Sequence, residues 1–273
     1  MALTLAQRNQ LRKRAALQAA EAAPERSMAG ATAYEQQLMQ LNQDRLRLKQ
    51  VQSEQGKAEL KRLLIPAYAP YIEGVLSAGN GAQDDVLTTL MVWSIDAGDF
   101  VSALHIGAYV LKHNLKMPDR FARTTGCLLA EEVANAALKQ QKAGEPFDRF
   151  VLRLAADITA AHDMPDQARA KLHLALGKAY LAELDEAAID ADKLEQARAN
   201  LARAIDLHSN CGGKKDLERV DRLLKKHAES KPAETGTATP PDSEQPPSDP
   251  DESKPSEEGA AATEPGTGEP PAN

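Results

Sequence analysis

Cysteine and aromatic residues are scarce in this chain: its 273 residues include two cysteines, one tryptophan, five tyrosines and four phenylalanines. Cys127 and Cys211 cannot build a disulfide framework, which points to a reducing compartment. No run approaches the roughly 20 unbroken apolar residues that a membrane-spanning helix requires, so no membrane partner is expected. Arg8, Arg12, Lys13 and Arg14 open the chain, but neither an apolar stretch nor a small-residue cleavage site follows them, as a secretory signal would need. A cytoplasmic location is therefore expected. Alternating Val/Ile/Thr/Tyr runs are also missing, and with them the pattern of a half-buried strand.

Residues 230–273 lack Leu, Ile, Val, Met and every aromatic, yet hold 10 of the 16 prolines. A segment that cannot bury apolar surface cannot offset the entropy of ordering its backbone, so 229–273 is expected to be a disordered, Pro-rich acidic tail. Charge is uneven as well. Residues 1–62 carry 11 Lys/Arg against 6 Asp/Glu, residues 63–228 carry 20 against 23, and residues 229–273 carry 2 against 11. The formal net charge of −7 thus belongs mainly to the tail, and the head is basic. Such a polarity implies a polyanion partner at one end and self-masking or solubilisation at the other. The plainer reading is a solvated helix followed by a solubilising tail.

What is abundant is Ala, Leu, Gln, Glu, Lys and Arg, the residues that lose least on entering a helix. The chain is all-α. A first helix is predicted over 4–22, ending before Pro24. A long helix is predicted over 32–64, opened by a Thr32-x-x-Glu35 capping box. Tyr34, Leu38, Leu41 and Leu48 follow an a/d heptad spacing with Arg45 in the remaining slot, which suits coiled-coil or hairpin pairing. Pro66 and Pro70, then Gly74, Gly79 and Gly81, read as a linker. Helices follow over 82–97, 99–115, 128–142, 147–162, 165–184, 190–208 and 213–228, with loops short enough to make neighbours antiparallel. Leu176-Gly177-x2-Tyr180, with Ala197, Leu201, Ala204 and Ile205, fits tetratricopeptide-like packing of helical hairpins. The expected divisions are 1–65 for DNA contact and oligomerisation, 66–228 for a body of hairpins, and 229–273 for the tail.

Catalytic signals are thin. No Gly-x4-Gly-Lys-Ser/Thr or Gly-x-Gly-x-x-Gly loop is present to cradle a nucleotide, and none of the six histidines forms His-x3-His. His208 and Cys211 lack the second ligand pair of a zinc site. No cofactor or metal is expected. Metal-dependent phosphodiester cleavage needs converging carboxylates, for which Asp84, Asp85, Asp96 and Asp99 are the candidates. Asp84 and Asp85 suit the dipole in the first turn of a helix and Asp99 the N-cap of the next, which leaves only Asp96 without such a role. The stronger candidates are cations. Arg8, Arg12 and Arg26 on one face, flanked by Lys13 and Arg14, form a set that neutralises phosphates without reading sequence. Arg45, Arg47 and Lys49 extend that set along the long helix, with Lys57, Lys61 and Arg62 beyond. No aromatics interleave, so duplex rather than single-stranded DNA is the expected partner. The cluster Lys214, Lys215, Arg219, Arg222, Lys225 and Lys226 is interrupted by Asp216, Glu218 and Asp221, which suits a self-compensated helix face.

Several strings go beyond composition: Tyr34-Glu35-Gln36, Gly81-Ala82-Gln83-Asp84-Asp85, and Trp93-x2-Asp96-x-Gly98-Asp99 with Ala103-Leu104. Further on come Met117-Pro118, Glu131-Glu132-Val133-Ala134 and Asp163-Met164-Pro165-Asp166-x2-Arg169-Ala170-Lys171-Leu172-His173. In this order, over residues 34–226, the chain resembles the small terminase subunits of temperate contractile-tailed phages, the GpM type. The resemblance implies a DNA-packaging role in the bacterial host cytoplasm: an oligomeric adaptor that binds viral duplex DNA and delivers it to the large, ATPase-bearing subunit. That family is also labelled an endonuclease subunit, so DNA cutting by this chain stays an alternative, as does a protein-interaction module. The acidic tail departs from the basic anchor that a DNA packager would use.

Overall fold

Local capping sets where the helices begin. The computed structural model describes residues 3–21, 32–118, 123–184 and 190–230. Among them are eleven α-helices and no strand: α1 Leu5–Glu21, α2 Thr32–Gln50, α3 Glu54–Leu64, α4 Ala69–Ala78, α5 Asp85–Ala97 and α6 Phe100–Lys112 are followed by α7 Thr125–Lys142, α8 Arg149–Thr159, α9 Asp166–Ala182, α10 Ala191–Leu207 and α11 Lys214–Ser230. The all-α class is confirmed. The first two residues of the expected tail, 229 and 230, end α11; the rest of it and Arg26 lie outside the described residues.

Two boundaries differ from the sequence pattern. The 32–64 helix is broken at 51–53, because the Ser53 side chain turns back to accept the Gly56 N–H at 3.0 Å and starts α3 afresh. An added Cβ on Gly56 would lie 2.8 Å from that Ser53 Oγ, so glycine permits the turn. The linker expected over 66–81 instead contains α4. Pro70 sits in its first turn, where a missing N–H costs nothing, and Gly79 closes it at φ 72°. Gly74 is helical, and its missing side chain is where α1 lies: a Cβ would come within 2.5 Å of the Arg12 carbonyl oxygen and 2.7 Å of the Ala15 Cβ.

α5 is buried around nearly its whole circumference, from Val86 to Ile95, and forms the centre on which α2, α3 and α6 pack. The heptad residues Tyr34, Leu41 and Leu48 are buried in this chain's own core, so that seam faces α5 and its surroundings rather than another copy. Tyr68, beneath α4, meets Trp93 of α5 edge to face at 6.5 Å.

From α7 on, the helices stack as hairpins. His173 pairs with Asn200, and four residues further along α9 Gly177 faces the Ala197 carbonyl, so α9 and α10 run antiparallel. Lys171 reaches Glu131 and Gln141 reaches the Ala175 carbonyl, so α9 runs parallel to α7. A Cβ on Gly177 would lie 2.7 Å from Leu201 Cγ, which is the small-residue close packing that the Leu-Gly-x2-Tyr string anticipates. Tyr180 is buried, with the Arg149 guanidinium 4.6 Å from its ring centre.

Candidate nucleic-acid interface

α1 begins with a reciprocal cap. Thr4 Oγ1 accepts the Gln7 N–H at 3.3 Å, and Gln7 Oε1 accepts the Thr4 N–H at 2.9 Å. Ala15 and Ala19 bury one face against α4. Gln18 Oε1 takes the Ala33 N–H of α2 at 2.9 Å, and Asn80 donates to the Ala20 carbonyl. The helix is thus fastened along one side while Arg8, Arg12, Lys13 and Arg14 stay exposed. Among the described residues none of the four is ion-paired; Arg12 meets only Asn9 Oδ1, at 3.4 Å. The expected face of Arg8 and Arg12 is arranged differently. Arg8 and Arg14 line one groove of about 650 Å³ with Gln36, Gln37 and Gln40 of α2 and Leu63 of α3, whereas Arg12 and Lys13 do not line it. Gln37 is buried there with its Oε1 unpartnered. The glutamines on α2 were not singled out in the sequence; their 36, 37, 40 spacing beside an arginine-bearing helix was the available signal.

The three α2 cations have unlike roles. Arg45 is half-buried between α2 and α5, donating to Thr89 Oγ1 at 2.9 Å and to Asn42 Oδ1 at 3.2 Å. Arg47 pairs at 2.9 Å with Asp44, a buried carboxylate that also accepts the Tyr68 hydroxyl at 2.7 Å. Lys49 is exposed and faces a second groove, of about 840 Å³, whose lining includes Lys57, Lys61, Trp93 and Asp96. Lys57 pairs with Glu54 at 2.7 Å and Lys61 with Asp96 at 2.5 Å. Asp96, the carboxylate without a capping role, therefore serves as an ion-pair partner.

The other candidate carboxylates serve local structure. Asp84 is fully buried, caps α5 by accepting the Leu87 N–H at 2.8 Å, and accepts the Tyr71 hydroxyl at 2.6 Å. Burial pushes its carboxyl up to about 6 and drives the Tyr71 phenol far above its ordinary value. Tyr34, close by, is pushed up to about 12, first by burial and then by Asp85 and Asp84. Asp99 caps α6 through the Ser102 N–H at 3.1 Å. Among the described residues no group of three or more His, Cys, Asp and Glu is placed to hold a metal ion. Nor is any helix there long and apolar enough to cross a membrane.

A family model described as the phage small terminase subunit matches residues 38–167. The terminase, endonuclease subunit of Escherichia phage P2 is 43% identical over 228 residues, covering 83% of this chain and 88% of that protein. The probable terminase, endonuclease subunit of Haemophilus phage HP1 is 27% identical over 184 residues, covering 64% of each chain. No solved structure matches. With a relative of that identity and coverage beside the family model, the chain belongs to the phage small terminase subunit family.

Proposed function

We propose that this small terminase subunit binds viral duplex DNA through α1, with Lys49 as an auxiliary contact, and delivers it to the large subunit in the host cytoplasm. One observation carries the DNA contact: α1 presents four cations on its solvent side, and among the described residues no carboxylate pairs with them. Duplex affinity should fall steeply with added salt, as counterion release dictates. The variant with Ala at Arg8, Arg12, Lys13 and Arg14 should bind more weakly and with a shallower salt slope. Equal binding at every salt concentration would remove α1 from the interface.

Self-association is part of the proposal, but through a different surface from the heptad seam. Among the described residues, six of the eight large exposed apolar side chains, Leu3, Leu5, Leu17, Met39, Leu46 and Leu63, lie in the first 64 residues. Apolar side chains concentrated in this way support copies meeting through α1–α3. The reading in which this chain itself cuts DNA is carried by the name of the two phage relatives, endonuclease subunit. Asp84, Asp96 and Asp99 are engaged in capping and pairing, so we assign cutting to the assembled terminase. Plasmid nicking by the purified chain with magnesium, lost in Asp96→Ala, would reverse that assignment.

A further inference from the structure

α8 and α10 both pack on α9, and between them a groove of about 560 Å³ stays open. Leu172 and Leu176 of α9 are buried beneath it, Ala156 and Ala160 give it accessible apolar surface, and its walls carry Arg153 from α8 and Arg203 from α10. Arg169 lines it from α9 and is held in place by donating to the His162 carbonyl at 2.6 Å. Asp157 is the single carboxylate among the lining residues. Arg153 and Arg203 are both exposed, and among the described residues neither is paired with a carboxylate. Between them the half-buried His173 meets Asn200 at 2.9 Å. Burial depresses the His173 imidazole, and the charges of Arg169 and Arg203 push it further in the same direction.

A bundle optimised only for stability would close such a gap with apolar side chains. This one keeps three guanidiniums around it. Guanidinium forks match carboxylates and phosphates with two parallel hydrogen bonds. The apolar lining separates those two partners. Ala156 and Ala160 reward an apolar side chain placed between the anionic groups, which an acidic peptide offers and a duplex backbone does not.

We propose that the groove between α8 and α10 is a docking site for an acidic peptide segment of a protein partner, its carboxylates taken by Arg153 and Arg203 and an apolar side chain seated against Ala156 and Ala160. The site does not depend on the DNA contact of α1.

The test uses the full chain and a fluorescein-labelled peptide, Asp-Glu-Leu-Asp-Glu, followed by polarisation, with Asn-Gln-Leu-Asn-Gln as the neutral match. The acidic peptide should bind at least tenfold more tightly than the neutral one. Arg153→Ala with Arg203→Ala should weaken it at least tenfold, while Arg153→Lys with Arg203→Lys retains part of the affinity. Both arginines are exposed, and an unchanged Tm would confirm that the double variant is folded. In the same variant, affinity for a 20-base-pair duplex should change less than twofold. Equal binding of the two peptides, or no effect of the Ala substitutions, overturns the proposal. Displacement of the peptide by duplex, with a matching loss of duplex affinity in the double variant, would make the groove a nucleic-acid contact instead. The α1 variants report on the DNA contact separately.

Discussion

The Tyr71 hydroxyl donates to Asp84 Oδ2 at 2.6 Å inside the core, joining the helix that receives α1 to the start of the central helix α5. Both residues are fully buried, and the second carboxylate oxygen is occupied by the Leu87 N–H. Buried polar groups are tolerated when paired in this way, and they become costly when one partner is removed.

The pair makes stability depend on pH. Asp84 titrates at about 6 in the fold against an ordinary 3.8, so the folded chain holds a proton that the unfolded chain releases. The folded state is therefore favoured by low pH at this site, and that contribution is lost as pH rises from about 4 to about 6. A shift of this size corresponds to ~3 kcal/mol. Asp84→Asn should flatten the 4-to-6 slope in urea-unfolding free energy measured against pH. Asp84→Ala should flatten that slope too and, at pH 7, cost a further ~2–4 kcal/mol, because it removes a cap and strands the Tyr71 hydroxyl.

Gly74 fixes the seat of α1. A methyl group there would meet the Arg12 carbonyl oxygen and the Ala15 side chain, so Gly74→Ala must push α1 off α4. We expect a loss of ~1–3 kcal/mol from overpacking. Proteolysis should cut within residues 5–21 faster than in the parent, and duplex affinity should drop although no cation has been removed.

The α2 cations should separate by role. Lys49→Ala should reduce the salt slope of DNA binding by roughly 1 and leave Tm unchanged. Arg45→Ala, which strips a half-buried guanidinium from Thr89, should lower Tm with little change in that slope. If Arg45→Ala alters DNA affinity and not stability, the two roles are reversed.

Self-association should respond to the exposed apolar residues and not to the heptad seam. Leu63 is 78% exposed, and Leu63→Glu should shift the oligomer towards smaller species in sedimentation without lowering monomer stability. Leu41, fully buried, should behave in the opposite way. Leu41→Ala should cost ~2–5 kcal/mol as a core cavity.

Much of the fold was legible in the order of the residues. The helices from α5 to α11 fall within a few residues of their expected spans, because Gly98, Met117-Pro118, Gly144, Pro165 and Gly212 punctuate them locally. Asp99 is the N-cap that its position implies, and Asp84, expected in a first turn, caps α5 instead. The Gly177 and Tyr180 pair packs as its spacing indicates, since close helix approach requires a missing side chain on one of the two.

Other features depended on residues far apart in the chain. Gly74 reads as a breaker until α1 is seen lying against it. Tyr34, Leu41 and Leu48 form a seam that suits either a second copy or an internal helix, and periodicity alone cannot distinguish them; α5 fills the place. The same holds for charge. That α1 is basic and the chain helical follows from composition, because charge and propensity are properties of single residues. Which cations remain available is a matter of tertiary distance: Arg47 is taken by Asp44 and Lys61 by Asp96, whereas Lys49 and the four on α1 are exposed and pair with no carboxylate among the described residues. Opposite charges that neutralise one another must first be brought within a few ångströms, and only the packed helices do that.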